Sequence, residues 1–287
     1  MDIGVALPTV IPGTRAGQLL DWARRADRLG FSTLGTLDRL VYDSLEPLTT
    51  LAAAAAVTER ITLATTILIA TYRADVAVLA KQAATVDRLS EGRLVLGLAA
   101  GLREDDFTAN GTGLADRGRR LDAMAERLLR IWSGAPEDGY DRPIGPVPER
   151  APRLLFGGHS EAAMRRAGRH GWGWITGGGA PSGYAIHLER ARAVWREEGR
   201  ADEPRKLALS YFVLGTGAPD HAARFLGDYY AFLGPGYAGR AAAGAITDEA
   251  RLGEVVTGYR DAGCDELIFV PCLPDPGQLD LLAKAVL

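Results

Sequence analysis

A chain of 287 residues with 47% hydrophobic side chains has the material for one large α/β domain of ~250 residues. A net charge of −3 favours neither nucleic acid nor an anionic membrane as a partner. The two cysteines, Cys264 and Cys272, flank one apolar run at no metal-type spacing and read as reduced core residues. No charged-then-apolar leader opens the chain and no apolar run reaches the ~18 residues of a span, so the expectation is a soluble cytoplasmic protein.

Ile3 to Leu7 reads as a first strand, stopped by Pro8. Gly13 to Gly30 holds a helix with Leu19, Trp22, Ala23, Ala26 and Leu29 on one face. Phe31 to Leu37 is a second strand ending in Asp38-Arg39, and Pro47 opens an alanine-rich helix to Val57. Ile61 to Ile69 reads as one uninterrupted third strand. Leu79, Ala83, Val86 and Leu89 recur at helical steps before Ser90-Glu91-Gly92. Arg93 to Leu98 is then a fourth strand, apolar enough to be buried on both faces. It opens into Ala99-Ala100-Gly101 and an acidic run, Glu104-Asp105-Asp106, read as a charged loop.

Arg117 to Trp132 is a helix, and Ser133 to Pro152 a surface loop rich in Pro, Gly and charge. Leu154 to Phe156 is the fifth strand, running into Gly157-Gly158-His159-Ser160 and a helix to about His170. Trp172 to Thr176 is the sixth, followed by Gly177-Gly178-Gly179 and a helix from Pro181 to Glu198. Lys206 to Leu214 is the seventh strand, with a helix from Pro219 to Leu233 and a small-residue excursion from Gly234 to Gly244. A helix from Asp248 to Gly263, an eighth strand from Glu266 to Val270 and a helix from Pro276 to Leu287 close the chain. Eight strands alternating with helices predict a parallel (β/α)8 TIM barrel in one domain, 1–287, rather than an open doubly wound sheet.

In such a barrel the strand-to-helix loops carry the site. The turn Gly157 to Ser160 and the neighbouring Gly177 to Gly179 would together cradle an anion, because glycine lets backbone amides approach and a helix start carries partial positive charge. A plain turn with Ser160 as N-cap explains the first of them equally well. Asp38 and Arg39 either face a ligand or pair with each other at the barrel mouth. Glu104 to Asp106 offer a general acid or base, or a solvated loop. The end of the third strand is too apolar for acid–base work and suits a flat aromatic ligand. No metal-type His/Asp/Glu cluster, nucleophile elbow or Walker loop stands in the sequence.

The run Ala80 to Leu94 (AKQAATVDRLSEGRL), with Gly97-Leu98-Ala99-Ala100-Gly101, Arg119-Arg120-Leu121-Asp122 and Gly157 to Ala163, resembles the bacterial luciferase-like superfamily of flavin- and F420-dependent oxidoreductases across nearly the whole chain. The resemblance implies coenzyme F420 or FMN at the strand C-terminal ends, with its phosphate at Gly157, Gly158, His159, Ser160, Gly177, Gly178 and Gly179. It places the ring against Ile67 and Leu68, near a non-proline cis peptide, beside Asp38. It also implies a small-molecule substrate and a homodimer through the Ala52 to Ala56 face. Two departures stand out. Arg39 occupies the place of a histidine in many F420 relatives, and Ala100 that of the arginine on the FMN phosphate in luciferases proper, with Arg103 its possible substitute. The second gives F420 a slight preference. Asp106-Phe107 matches an acid–aromatic pair near the flavin. Arg39 and Asp106 are expected on the substrate side, with Glu104 a weaker proton-transfer group. The reaction is then hydride transfer with F420; the alternatives are an FMN-dependent monooxygenase and a non-catalytic flavin-binding barrel.

Overall fold

The computed structural model describes residues 1–73, 75–137, 139 and 141–287; two positions of the predicted 133–152 loop, 138 and 140, lie outside them. The strands are β1 (Asp2–Ala6), β2 (Thr33–Thr36), β3 (Thr62–Thr65), β4 (Leu68–Ile69), β5 (Leu94–Ala99), β6 (Arg153–Gly157), β7 (Gly173–Thr176), β8 (Arg205–Phe212) and β9 (Glu266–Pro271). All pair in parallel, in the order β3-β2-β1-β9-β8-β7-β6-β5-β4, and a further β3–β5 pairing closes the cylinder. β3 and β4 together make the third of eight staves, so the protein is a (β/α)8 barrel.

The helices around it are α1 (Ala16–Leu29), α2 (Pro47–Ala55), α3 (Val76–Leu89), α4 (Glu104–Ala109), α5 (Arg117–Trp132), α6 (Glu161–His170), α7 (Pro181–Glu197), α8 (Ala218–Tyr229), α9 (Pro235–Ala243), α10 (Glu249–Asp261) and α11 (Gly277–Val286). Strand alternation divides the apolar residues into two cores. Ala6, Ala64, Val95, Leu155, Ile175, Leu207 and Ile268 fill the barrel interior. Val5, Leu63, Leu94, Leu96, Leu98 and Phe156 face the helices, where Leu79, Leu128 and Trp132 meet them. Leu51, Ala54 and Ala55 of the alanine-rich α2 are buried within the chain, whereas Ala53 and Ala56 are exposed. Cys264 and Cys272 are free thiols in the core. Among the described residues, no helix is long and apolar enough to cross a membrane.

Two expectations need correction. The run Ile61 to Ile69 is not one continuous strand. β3 pairs with β5 through Leu63↔Leu94, and β4 with β5 through Leu68↔Leu98. Five steps along the third stave therefore oppose four along β5, which defines a bulge of one residue. The bulge does not use a cis peptide at Ile67–Leu68: the one cis bond among the described residues is Gly145–Pro146. Thr65 takes the place of the missing ladder, its Oγ1 accepting from Gly97 N at 2.8 Å and donating to Gly97 O at 2.7 Å. The second correction concerns Glu104-Asp105-Asp106. They form the first turn of helix α4, where three carboxylates complement the exposed amides of the helix start.

Candidate active site

A cavity of about 470 Å³ opens at the C-terminal ends of the strands. On one side stand the two glycine turns. β6 ends in Gly157, where a Cβ would lie 2.5 Å from Ile67 Cδ1, so the Ile67 side chain packs against bare backbone there. Gly158 adopts φ +133°, a conformation closed to most L-residues, and its carbonyl accepts from Trp174 Nε1 at 3.0 Å. Ser160 is the N-cap of α6, its Oγ accepting from Ala163 N at 3.3 Å. Gly177 and Gly178 reach the cavity from the end of β7. Gly179 does not line it; its carbonyl accepts from Tyr259 Oη at 2.9 Å and belongs to the packing behind the turn.

His159 lies between these turns and α7, its ring 4.6 Å from that of His187. Partial desolvation, then the neighbouring imidazole, hold its pKa below the ordinary histidine value. Arg117, at the start of α5, donates from Nε to Gly101 O at 2.9 Å and from Nη1 to Leu114 O at 3.0 Å. It lines the cavity with no carboxylate partner among the described residues. Nearby Arg166 is already neutralised by Asp122.

The wall between the two lips is apolar: Leu37, Ile67, Ile69, Ala99 and Ala100. Leu68, expected to touch a ring here, is fully buried on the opposite face of its strand among the helices. Within β4 and the residue before it, Ile67 and Ile69 face the cavity and Leu68 does not.

Asp38 does not pair with Arg39. Its buried carboxylate receives Tyr72 Oη at 2.8 Å, Ile69 N at 2.8 Å and Arg73 Nη1 at 2.6 Å. Burial, then the Asp38 carboxylate, push the Tyr72 hydroxyl far above its ordinary pKa. Arg39 turns the other way, donating to Tyr229 O at 2.9 Å with its guanidinium 4.0 Å from the Tyr42 ring centroid. Asp106 is buried too. It accepts from Leu40 N at 3.1 Å and Val41 N at 2.7 Å, and so pins the loop after β2. Glu104 is exposed and outside the cavity lining, because the helical turn that buries Asp106 carries it to solvent.

Tyr211, Tyr229, Tyr230 and Phe232, from β8 and the segment after it, complete the lining. Tyr211 and Tyr230 share a hydrogen bond of 2.8 Å between hydroxyls. Nothing in local sequence marked these four or Arg117, since what places them is the barrel's closure. Among the described residues, no group of three or more His, Cys, Asp or Glu side chains is placed to hold a metal ion.

The profile of the luciferase-like monooxygenase family matches residues 1–266. The chain belongs to that family. Within it, the chain is similar to an F420-dependent glucose-6-phosphate dehydrogenase of Intrasporangium calvum, 28% identical over 200 residues, which are 60% of this chain and 57% of that one. The chain spans about half the length of the curated relatives it matches, 45% for a protein from Mycobacterium tuberculosis. Two solved structures of the luciferase-like fold cover it almost completely. One is an F420-dependent secondary alcohol dehydrogenase in complex with an F420-acetone adduct, with a TM-score of 0.82, 18% identity and coverage of 99% and 98%. The other is the oxygenating constituent of 3,6-diketocamphane monooxygenase from Pseudomonas putida in complex with FMN, with a TM-score of 0.75, 18% identity and coverage of 100% and 98%. At such identities the likeness is one of fold.

Proposed function

We propose that the protein is an F420-dependent oxidoreductase that moves hydride between the coenzyme and a small organic molecule. The observation that carries this reading is the pair of glycine turns after adjacent strands, facing an apolar wall built on the bulge. The residues fit such a coenzyme: Gly157 and Gly158 line the cavity with backbone, Arg117 holds a positive charge with no carboxylate partner among the described residues, and Ile67 and Ile69 offer a flat apolar rest. Ala100 at the cavity wall, in place of the phosphate arginine of luciferases proper, and the F420-dependent relative from Intrasporangium calvum favour F420 over FMN. Bound there, the coenzyme supplies the two-electron chemistry.

The chain supplies position and a proton. Both carboxylates that line the cavity are spent, Asp38 on three donors and Asp106 on two backbone amides, so neither is a free base. The Tyr211–Tyr230 pair, joined by its hydrogen bond, is an acid group on the substrate side. Burial pushes both hydroxyls above the ordinary phenol value, Tyr230 up to about 12, so both carry their protons at neutral pH. Tyr230 would donate to the oxygen of a carbonyl being reduced. Tyr230→Phe should lower kcat by roughly 100-fold while leaving KM within a few-fold, the usual contribution of a positioned general acid. An unchanged kcat would remove the tyrosine from the mechanism.

Anaerobic titration of the protein with F420, followed by the coenzyme's fluorescence, tests the main reading. F420 should bind, and Arg117→Gln should weaken it about tenfold, as expected for losing a charge-assisted hydrogen bond. Binding of FMN alone would replace this reading with the FMN monooxygenase. Binding without turnover of any substrate would replace it with a carrier role.

A further inference from the structure

We propose that the substrate is an organic acid with an apolar body, its carboxylate held by Arg39 and Arg103. The proposal deepens the oxidoreductase reading, on which it rests for the role of the bound acid as substrate.

Position comes first. Gly177 and Gly178 follow the sixth stave and Arg39 the second, four staves apart in a closed cylinder of eight, hence on opposite sides of the mouth. The backbone amides of that turn therefore leave the Arg39 charge for a different anionic group.

The charge count comes next. Arg39 makes its hydrogen bonds to backbone carbonyls, those of Tyr229 and Val41, and no carboxylate lies within ion-pair distance of it among the described residues. Arg103 sits on the same lip, and its charge adds to desolvation in lowering the Arg39 pKa. Its Nη2 meets Asp105 at 2.6 Å. Its Nε lies 3.4 Å from Asp106 Oδ2, an ion pair without hydrogen-bond geometry, while Leu40 N and Val41 N take the other oxygen, Oδ1. Three guanidinium nitrogens, Arg39 Nε and Arg103 Nε and Nη1, are thus buried with no acceptor. Arg103 is only 9% exposed. Buried charged donors left unpaired are costly, and native proteins leave few. Three in two side chains that line one cavity mark where a ligand's oxyanion completes the set.

Both cations are also preorganised. The Arg39 guanidinium stands 4.0 Å from the Tyr42 ring centroid and 5.8 Å from that of Phe232, and Arg103 lies 4.0 Å from Phe232. Aromatic faces fix the planes of the two forks, so less freedom is lost when an oxyanion docks. Phe232 covers both and is itself 39% exposed. Around it, Leu40, Val41, Leu102, Leu233 and Tyr237 expose apolar side chains at the same lip. Such a collar suits an apolar body extending from the cavity and repels a polyol.

Benzoate and its uncharged counterpart benzamide are the probes, titrated calorimetrically into the protein with and without saturating F420. Benzoate should bind at least tenfold more tightly than benzamide. Arg39→Gln and Arg103→Gln should each abolish the preference, and Arg103→Lys, which keeps charge and bulk, should retain part of it. Equal affinities, no detectable benzoate binding, or a preference unchanged in both glutamine variants would overturn the proposal. So would a preference lost in Arg117→Gln and kept in Arg39→Gln, which places the carboxylate at Arg117. The two readings fail separately: a benzoate preference without F420 binding refutes the coenzyme assignment alone, and F420 binding without the preference refutes the substrate class alone.

Discussion

Replacing Gly97 by alanine should destabilise the barrel by about 3 kcal/mol or more, at the upper end of overpacking in a close-packed core. A Cβ at this position would lie 2.0 Å from Thr65 O and 3.2 Å from Thr65 C. Both are backbone atoms, so no rotamer relieves the clash, and β3 must move away from β5. That movement also breaks the two hydrogen bonds between Thr65 Oγ1 and Gly97 that stand in for the ladder across the bulge. Thr65→Val keeps the shape and removes the hydroxyl, so it should cost less, about 1–2 kcal/mol, from leaving Gly97 N buried and unpaired. Urea unfolding measures both. In thermal melts Gly97→Ala should lie roughly 10 °C below the parent, on the scale of a few degrees per kcal/mol for domains of this size. A Gly97→Ala protein within ~0.5 kcal/mol of the parent would show that the strands part without strain, and the bulge would lose its role as a fixed wall.

The same bulge marks the boundary of what local sequence could tell. The eight staves were legible because each is a short apolar run bounded by helix chemistry, and the glycines at 157, 158, 177 and 178, which line the cavity, were legible as turns at strand ends. Within Ile61 to Ile69, however, the strand ends at Thr65, a good strand former, and resumes only at Leu68. What bridges the break is a hydrogen bond from Thr65 to Gly97, 32 residues on. Leu68 was misassigned for a simpler reason: period-two alternation puts Ile67 and Ile69 on one face and excludes Leu68 from it. The acidic run at Glu104 looked like a solvated loop, since six residues are too few to display a helical period. The aromatic lip was not legible at all. Tyr229 and Phe232 meet Arg39, and Phe232 meets Arg103, only because the segment after β8 returns across the mouth.

Asp38→Asn should cost about 3 kcal/mol in stability and should also loosen the apolar wall of the cavity. The Asp38 side chain is 2% exposed and that of Arg73 17%, and they meet at 2.6 Å. Removing the carboxylate's charge leaves Arg73 buried beside a neutral amide, its other carboxylate contact, Glu46, being longer at 3.4 Å and largely exposed. The amide also cannot serve three donors at once, so Tyr72 Oη, Ile69 N or both lose their acceptor. Ile69 is the end of β4, and its amide bond to Asp38 ties the far half of the bulged stave to the end of β2. Slackening it lets Ile67 and Ile69 shift, and binding of a flat coenzyme should weaken together with stability. The mechanism predicts a non-additive pair. Asp38→Leu combined with Arg73→Met removes both charges, and the double variant should be more stable than Asp38→Asn alone, because apolar replacement of a buried ion pair costs far less than an isolated buried charge. If the double variant instead loses the sum of the single effects, the pair acts through its hydrogen bonds to Tyr72 and Ile69 rather than through charge. The Asp38 cluster would then be a polar clamp on β4, with Arg73 only its neighbour.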